Sequence, residues 1–213
     1  MATDSHTAFF YGTLMAPPVL HRVIWGTTSA PTPVHASSLT IRPAILPAHQ
    51  RHKVRGADYP AVLPCAAGAP ATGSSPDASP PSVRGTLVQG LTSGDMWRLD
   101  IFEGSDYTRR KVRVRVVESA HPETSPSPQD GNPSTEEIEA ETYIWTASPS
   151  ALEASEWDFS EFVREKMGRW TGEEVLDEGM KEVDGMRGEG EEDPTGGRGA
   201  NGRITQRLEK EGR

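Results

Sequence analysis

The chain has 213 residues, only 34% of them hydrophobic, with 21 glycines, 18 prolines and a formal charge of −9. That is enough for one domain plus tails, and too little apolar content for a core running through the whole length. The acidic balance argues against non-specific nucleic-acid binding, which needs Lys and Arg to displace counterions.

A single cysteine, Cys65, allows no intrachain disulfide and points to a reducing compartment. Met1–Thr7 is polar, with no apolar run of signal-peptide type, and no apolar stretch approaches the ~20 residues of a membrane span. A cytoplasmic protein without a membrane segment is expected.

In chain order, Thr7–Phe10 reads as an apolar strand that runs into the Gly-centred loop Tyr11-Gly12-Thr13-Leu14. Such a loop before a helix presents unpaired N–H groups that can hold a carboxylate or an oxyanion. Taken alone, it is better explained as an ordinary turn in which Gly12 takes positive φ. Pro17–Trp25 follows as a short helix, with proline at its start and Gly26 at its end.

Leu39–Leu46 is a candidate strand broken by Pro43, and His49 and His52 fall in a polar loop rather than a helical metal pair. Tyr59–Leu63 is a further short strand. Residues 65–82, mostly Ala, Gly, Ser and Pro, form a first low-complexity insertion that cannot offset its ordering entropy. Cys65, at its edge, lacks the rigid setting of a nucleophile.

Val83–Leu91 is the next strand. Thr92 and Asp95 then form a capping signal for a helix to Phe102, with Met96, Leu99 and Phe102 at helical spacing. Glu103 closes that helix before Gly104. At a helix C-terminus the dipole disfavours an anion, and aromatic neighbours desolvate it, so its pKa should rise toward the range of a proton shuttle. Read in isolation it is a surface glutamate, with Asp100 and Asp106 as rival carboxylates. Tyr107 either points its hydroxyl into a site or packs at the start of the next strand.

Lys111–Glu118 alternates Val112, Val114 and Val116 with Lys111, Arg113 and Arg115, which is strong evidence for a half-buried strand. With Arg109 and Arg110 this is a basic run, most simply a solvated face. A second insertion, 119–137, precedes the alternating strand Ile138–Thr146. Ala151–Trp170 reads as a helix with Phe159, Phe162, Val163, Met167 and Trp170 as one stripe. Residues 171–213 carry 12 acidic and 7 basic residues and read as a Gly-rich extension, largely disordered from about 185. Arg203–Arg213 is at most a short frayed helix with almost no apolar face.

The sum is a 7–170 domain of α+β type or a small barrel, with about 6–7 strands and few helices. No phosphate-binding loop, dinucleotide fingerprint or nucleophile elbow is present in the sequence.

Four segments occur in a telling order: Phe10-Tyr11-Gly12-Thr13-Leu14-Met15, Tyr59-Pro60-Ala61, Val83-Arg84-Gly85-Thr86-Leu87, and Leu99 through Arg109 with Asp100-Ile101-Phe102-Glu103-Gly104 at its centre. Together they resemble the gamma-glutamylcyclotransferase-like superfamily, in its branch of plant avirulence-induced proteins and their fungal relatives. The resemblance covers roughly 8–118 and 138–170; the insertions and the extension fall outside it. Trp157-Asp158-Phe159 through Lys166 is similar to the C-terminal helix of the fungal relatives.

The resemblance implies a small mixed β-barrel with flanking helices and a cavity, acting on a small-molecule γ-glutamyl substrate without metal or cofactor. It implies Glu103 as the catalytic residue, with Tyr11, Gly12, Thr13, Leu14 and Tyr107 binding substrate. The implied reaction is cyclisation of a γ-glutamyl amide to 5-oxoproline with release of a free amine. A catalytically silent binding or regulatory module on the same fold is the alternative.

Overall fold

The computed structural model describes residues 5–65, 81–117, 133–172 and 193–211. Seven strands form among them: β1 (His6–Phe10), β2 (Thr40–Pro47), β3 (His49–Lys53), β4 (Pro60–Pro64), β5 (Ser82–Leu91), β6 (Tyr107–Val117) and β7 (Pro133–Trp145). Five of them close a barrel in the order β1-β5-β2-β6-β7, while β3 and β4 form a separate two-stranded ribbon. All pairs are antiparallel except β1 with β7, which meet in parallel at Ala8 and Glu141.

Alternation along the strands sorts the core into two clusters. Phe9, Leu46, Val83, Leu87, Val114, Val116 and Ala140 come from all five barrel strands and fill the interior. The opposite faces of β1, β5 and β7 present Ala8, Phe10, Val88, Tyr143 and Trp145 to the helices. Gly85 of β5 sits where a Cβ would strike the Phe10 carbonyl oxygen and lie 2.5 Å from the Phe9 ring, so only glycine lets these strands approach.

Helix α1 (Pro17–Trp25) buries Val19, Leu20, Val23 and Ile24 and ends at Gly26 with φ 76°. Helix α2 (Pro33–Ser38) is short and carries no buried residue. Helix α3 (Ser93–Glu103) opens with the expected reciprocal cap: Asp95 N–H donates to the Thr92 hydroxyl and Thr92 N–H to the Asp95 carboxylate. Its face of Met96, Leu99 and Phe102 lies against the outer cluster. No helix among the described residues is long and apolar enough to cross a membrane.

Several expectations fail locally. Pro43 does not break β2, which pairs with β5 along its length; pairing with β6 is confined to Ala44 and Ile45, so no donor is demanded there from Pro43. His49 and His52 lie on strand β3, not in a loop. They are held by carbonyl contacts, His49 Nδ1 to Pro47 O at 2.8 Å and His52 Nδ1 to Glu153 O at 3.1 Å. Residues 133–137, placed in the second insertion, belong to β7; the rest of that insertion, and 66–80 of the first, lie outside the described residues.

The helix expected over 151–170 begins only at Phe159. A 3-10 turn (Pro149–Ala151) and an extended stretch precede it, and the Asp158 carboxylate caps it by accepting Glu161 N–H at 2.7 Å. Helix α4 (Phe159–Glu161) passes through a π-turn (Phe162–Lys166) into α5 (Met167–Thr171). The π-turn offsets the stripe, leaving Phe162 and Trp170 buried but Val163 39% exposed.

Residues 193–211 also depart from the expected disorder. Helix α6 (Arg203–Glu211) docks with Leu208 only 3% exposed and Ile204 packed beside it. Two apolar residues four apart suffice because polar groups of the domain grip the backbone. Arg22 Nη2 donates to Ala200 O at 2.8 Å, and Ala200 N–H donates to Arg169 O at 2.9 Å.

Candidate active site

Where β1 leaves the barrel, residues 11–14 face the end of α3 across a pocket of about 370 Å³, including its open mouth. The chain turns there through a 3-10 turn (Thr13–Met15). Met15 N–H donates to Gly12 O at 2.9 Å and Ala16 N–H to Thr13 O at 3.1 Å. The turn consumes carbonyls and leaves the N–H groups of Gly12, Thr13 and Leu14 without an acceptor among the described residues. All three residues line the pocket.

Gly12 has φ −128°, so positive φ is not why glycine is needed. A Cβ at this position would lie 2.8 and 2.9 Å from Cγ and Cδ of Pro60. Pro60 is held close by the preceding Asp58, 5% exposed, whose carbonyl accepts the Trp157 indole N–H at 2.6 Å. The Asp58 carboxylate accepts the Trp170 indole N–H at 3.4 Å and pairs with Arg169 at 3.4 Å. Arg51 of β3 steadies the loop from the other side, donating to Tyr11 O at 3.0 Å and to Glu156 at 2.7 Å.

Opposite these donors, Glu103 ends α3, and Gly104 (φ 72°, ψ −162°) turns the chain into β6. Glu103 is half-buried and lines the pocket. Burial pushes its pKa up, the Arg198 guanidinium pulls it down and Asp100 adds to the rise; the result is about 7. The sequence expectation of a raised carboxylate holds, with desolvation as the leading cause.

Tyr11, Tyr59, Tyr107 and Tyr143 complete the walls. Tyr11 OH donates to Tyr143 O at 2.5 Å, Tyr107 OH to Pro60 O at 2.9 Å, and Tyr143 OH to the Asp100 carboxylate at 2.9 Å. Burial pushes the phenols of Tyr11, Tyr107 and Tyr143 upward, and the Glu103 charge adds to each, so they stay neutral donors. Tyr107 packs at the start of β6 against Trp145 and also lines the pocket, while its hydroxyl is taken by the Pro60 carbonyl.

Arg198 also lines the pocket and is 6% exposed. Its Nε donates to Phe102 O at 2.8 Å and its Nη2 to Glu103 O at 2.6 Å, with the guanidinium 4.4 Å from the Tyr59 ring centroid. Sequence reasoning missed it, placing it in a disordered extension. The available signal was Asp193-Pro194-Thr195-Gly196-Gly197, a turn-forming run followed by Ile204 and Leu208 four apart.

The rival carboxylates lie outside the pocket. Asp100 pairs with Arg109 at 3.2 Å, and the Asp106 carbonyl accepts Thr146 N–H. The basic run is matched by acids on β7, Lys111 with Glu139 at 2.8 Å and Arg115 with Glu137 at 3.2 Å, as a solvated face would be. Burial pushes the Cys65 thiol up, away from the thiolate a nucleophile needs. No group of three metal-ligating side chains occurs among the described residues.

The small barrel thus brings the 11–14 turn and one raised carboxylate to the lining of a single pocket. The family model described as "Gamma-glutamyl cyclotransferase, AIG2-like" matches residues 8–159, and the chain belongs to that family. Among its relatives from Arabidopsis thaliana, Protein AIG2 C is 25% identical over 159 residues, covering 75% of this chain and 73% of the relative. AIG2-like protein B is 26% identical over 188 residues, covering 88% and 86%. The solution structure of At3g28950.1 from the same plant aligns at a TM-score of 0.47 with 23% identity, over 88% of this chain and 89% of that one. A yeast gamma glutamyl cyclotransferase specific to glutathione aligns at 0.44 with 14% identity, over 71% and 73%.

Proposed function

We propose that this chain cyclises a γ-glutamyl amide to 5-oxoproline and releases the free amine. The observation that carries the reading is the facing pair: a carboxylate with a pKa of about 7 and three N–H groups without an acceptor among the described residues, at Gly12, Thr13 and Leu14. Family membership supports the same class of chemistry.

The Glu103 carboxylate takes a proton from the substrate α-ammonium. The freed amine attacks its own γ-glutamyl carbonyl carbon, forming the ring C–N bond and an oxyanion. The N–H groups of the 12–14 turn stabilise that oxyanion or hold the substrate α-carboxylate. As the tetrahedral centre collapses, the Glu103 carboxyl gives its proton to the leaving nitrogen and the amide C–N bond breaks; the surplus proton of the ring nitrogen then passes through the same carboxylate to the freed amine, which leaves as an ammonium beside the neutral lactam. Nucleophile and carbonyl belong to one molecule, so holding the substrate folded supplies the proximity a second reactant would otherwise cost. A group with pKa near neutrality suits both proton transfers.

The test is a panel of γ-glutamyl amides assayed for 5-oxoproline, with Glu103→Gln as control. Turnover by the wild-type chain, lost in Glu103→Gln with the fold intact, is expected. Undiminished 5-oxoproline release by Glu103→Gln overturns the assignment. Calorimetric binding without turnover would move the protein to the silent-module alternative.

A further inference from the structure

The family match ends at residue 159, yet the pocket is finished by a residue almost forty positions later. The loop that delivers it is a defined structure. The Asp193 carboxylate accepts N–H groups of Thr195 at 2.9 Å and Gly197 at 2.7 Å, and Gly196 and Gly197 take left-handed φ of 61° and 85°. Pro194 O accepts Asp58 N–H at 2.8 Å, tying the loop to the segment that holds Pro60. These constraints turn Arg198 inward beneath the end of α3.

A helix C-terminus leaves carbonyls unpaired and carries partial negative charge. Arg198 answers both with one group, because its two donors take the carbonyls of Phe102 and Glu103 while its charge sits at the helix end. Stacking on Tyr59 fixes the guanidinium plane.

We propose that Arg198 is a positioning residue for Glu103: it clamps the backbone of that residue from the C-terminal segment and sets a fixed positive charge beside its carboxyl. What Glu103 then does rests on the cyclotransferase reading; the clamp itself does not. The groups facing Glu103 come from several elements. Asp100 of its own helix opposes ionisation. Tyr11 after β1, Tyr107 of β6 and Tyr143 of β7 are held neutral, and the Tyr59 ring lies against the Arg198 guanidinium. Among the groups acting most strongly on Glu103, Arg198 is the one that favours the charged form.

The experiment follows the Glu103 carboxyl by carbon NMR titration in the full chain labelled at glutamate Cδ, alongside the pH profile of kcat/KM. In Arg198→Met the Glu103 midpoint moves upward by roughly one pH unit or more, as removal of a neighbouring opposite charge does. The acid limb of the activity profile moves with it. Arg198→Lys, which keeps the charge and loses the fork, restores most of the midpoint. Arg198→Gln, able to donate to one carbonyl, carries the same expectation as Met should that variant fail to fold. A midpoint unchanged in a folded neutral variant overturns the proposal, as does activity that falls equally at every pH. If the wild-type chain releases no 5-oxoproline, the reaction fails while the titration still decides the role of Arg198.

Discussion

Glu103→Gln should make the protein more stable at neutral and alkaline pH, and the gain should vanish in acid. In the folded chain the carboxyl titrates at about 7 against an ordinary value of 4.5. The folded state therefore binds this proton more tightly than the unfolded state does. Stability is fully retained below 4.5, declines as pH rises through that window, and reaches its full loss above 7. At about 1.4 kcal/mol per pH unit the span corresponds to ~3 kcal/mol. Glutamine keeps the shape and removes the ionisation. Urea denaturation of both proteins at several pH values is the assay. The stability difference should grow from under ~1 kcal/mol at about pH 5 to ~3 kcal/mol at about pH 8. For a domain of this size, each kcal/mol is worth about 2–4 °C in Tm. A difference that stays flat across that range would refute the reasoning, since it would mean that folding does not raise the Glu103 pKa. The expected result makes the site a place where stability is given up for chemistry.

Gly12→Ala should cost about 1–3 kcal/mol in denaturation and lower kcat, because its Cβ would meet the Pro60 ring at 2.8 Å. Gly104→Ala should cost a similar ~1–3 kcal/mol, since φ 72° with ψ −162° is essentially a glycine-only conformation, and the loss of activity should exceed that of an α3 surface substitution. Trp170→Ala, which empties a position 1% exposed and breaks the indole contact with Asp58, should destabilise by ~3–5 kcal/mol in thermal or urea unfolding.

The barrel was largely readable because half-buried strands write their faces into the sequence. Val112, Val114 and Val116 against Lys111, Arg113 and Arg115 gave β6, and the Thr92–Asp95 cap gave the start of α3. Strand β3 was unreadable because its residues are only partly buried, so His49–Lys53 shows no apolar alternation. The break before Phe159 was hidden because Trp157 is as apolar as a helix-face residue, while its indole reaches instead to Asp58. Glu103 and the 11–14 turn, each ordinary when taken alone, were joined into one site only through the resemblance, and the reason for Gly12 was misjudged: space, not φ, selects it. Arg198 was invisible because its burial depends on two backbone carbonyls and an aromatic ring supplied by residues that composition cannot associate with it.

The long reach between the barrel and Arg198 has a consequence for synthesis. The last barrel strand ends at Trp145, so the ribosome adds about 50 more residues before the arginine, a delay of roughly 3–10 s. During that interval the barrel can close with the helix end at Glu103 uncapped. A nascent or prematurely terminated chain would carry the pocket without its guanidinium. The clamp thus ties the finished site to completion of the polypeptide through residue 198.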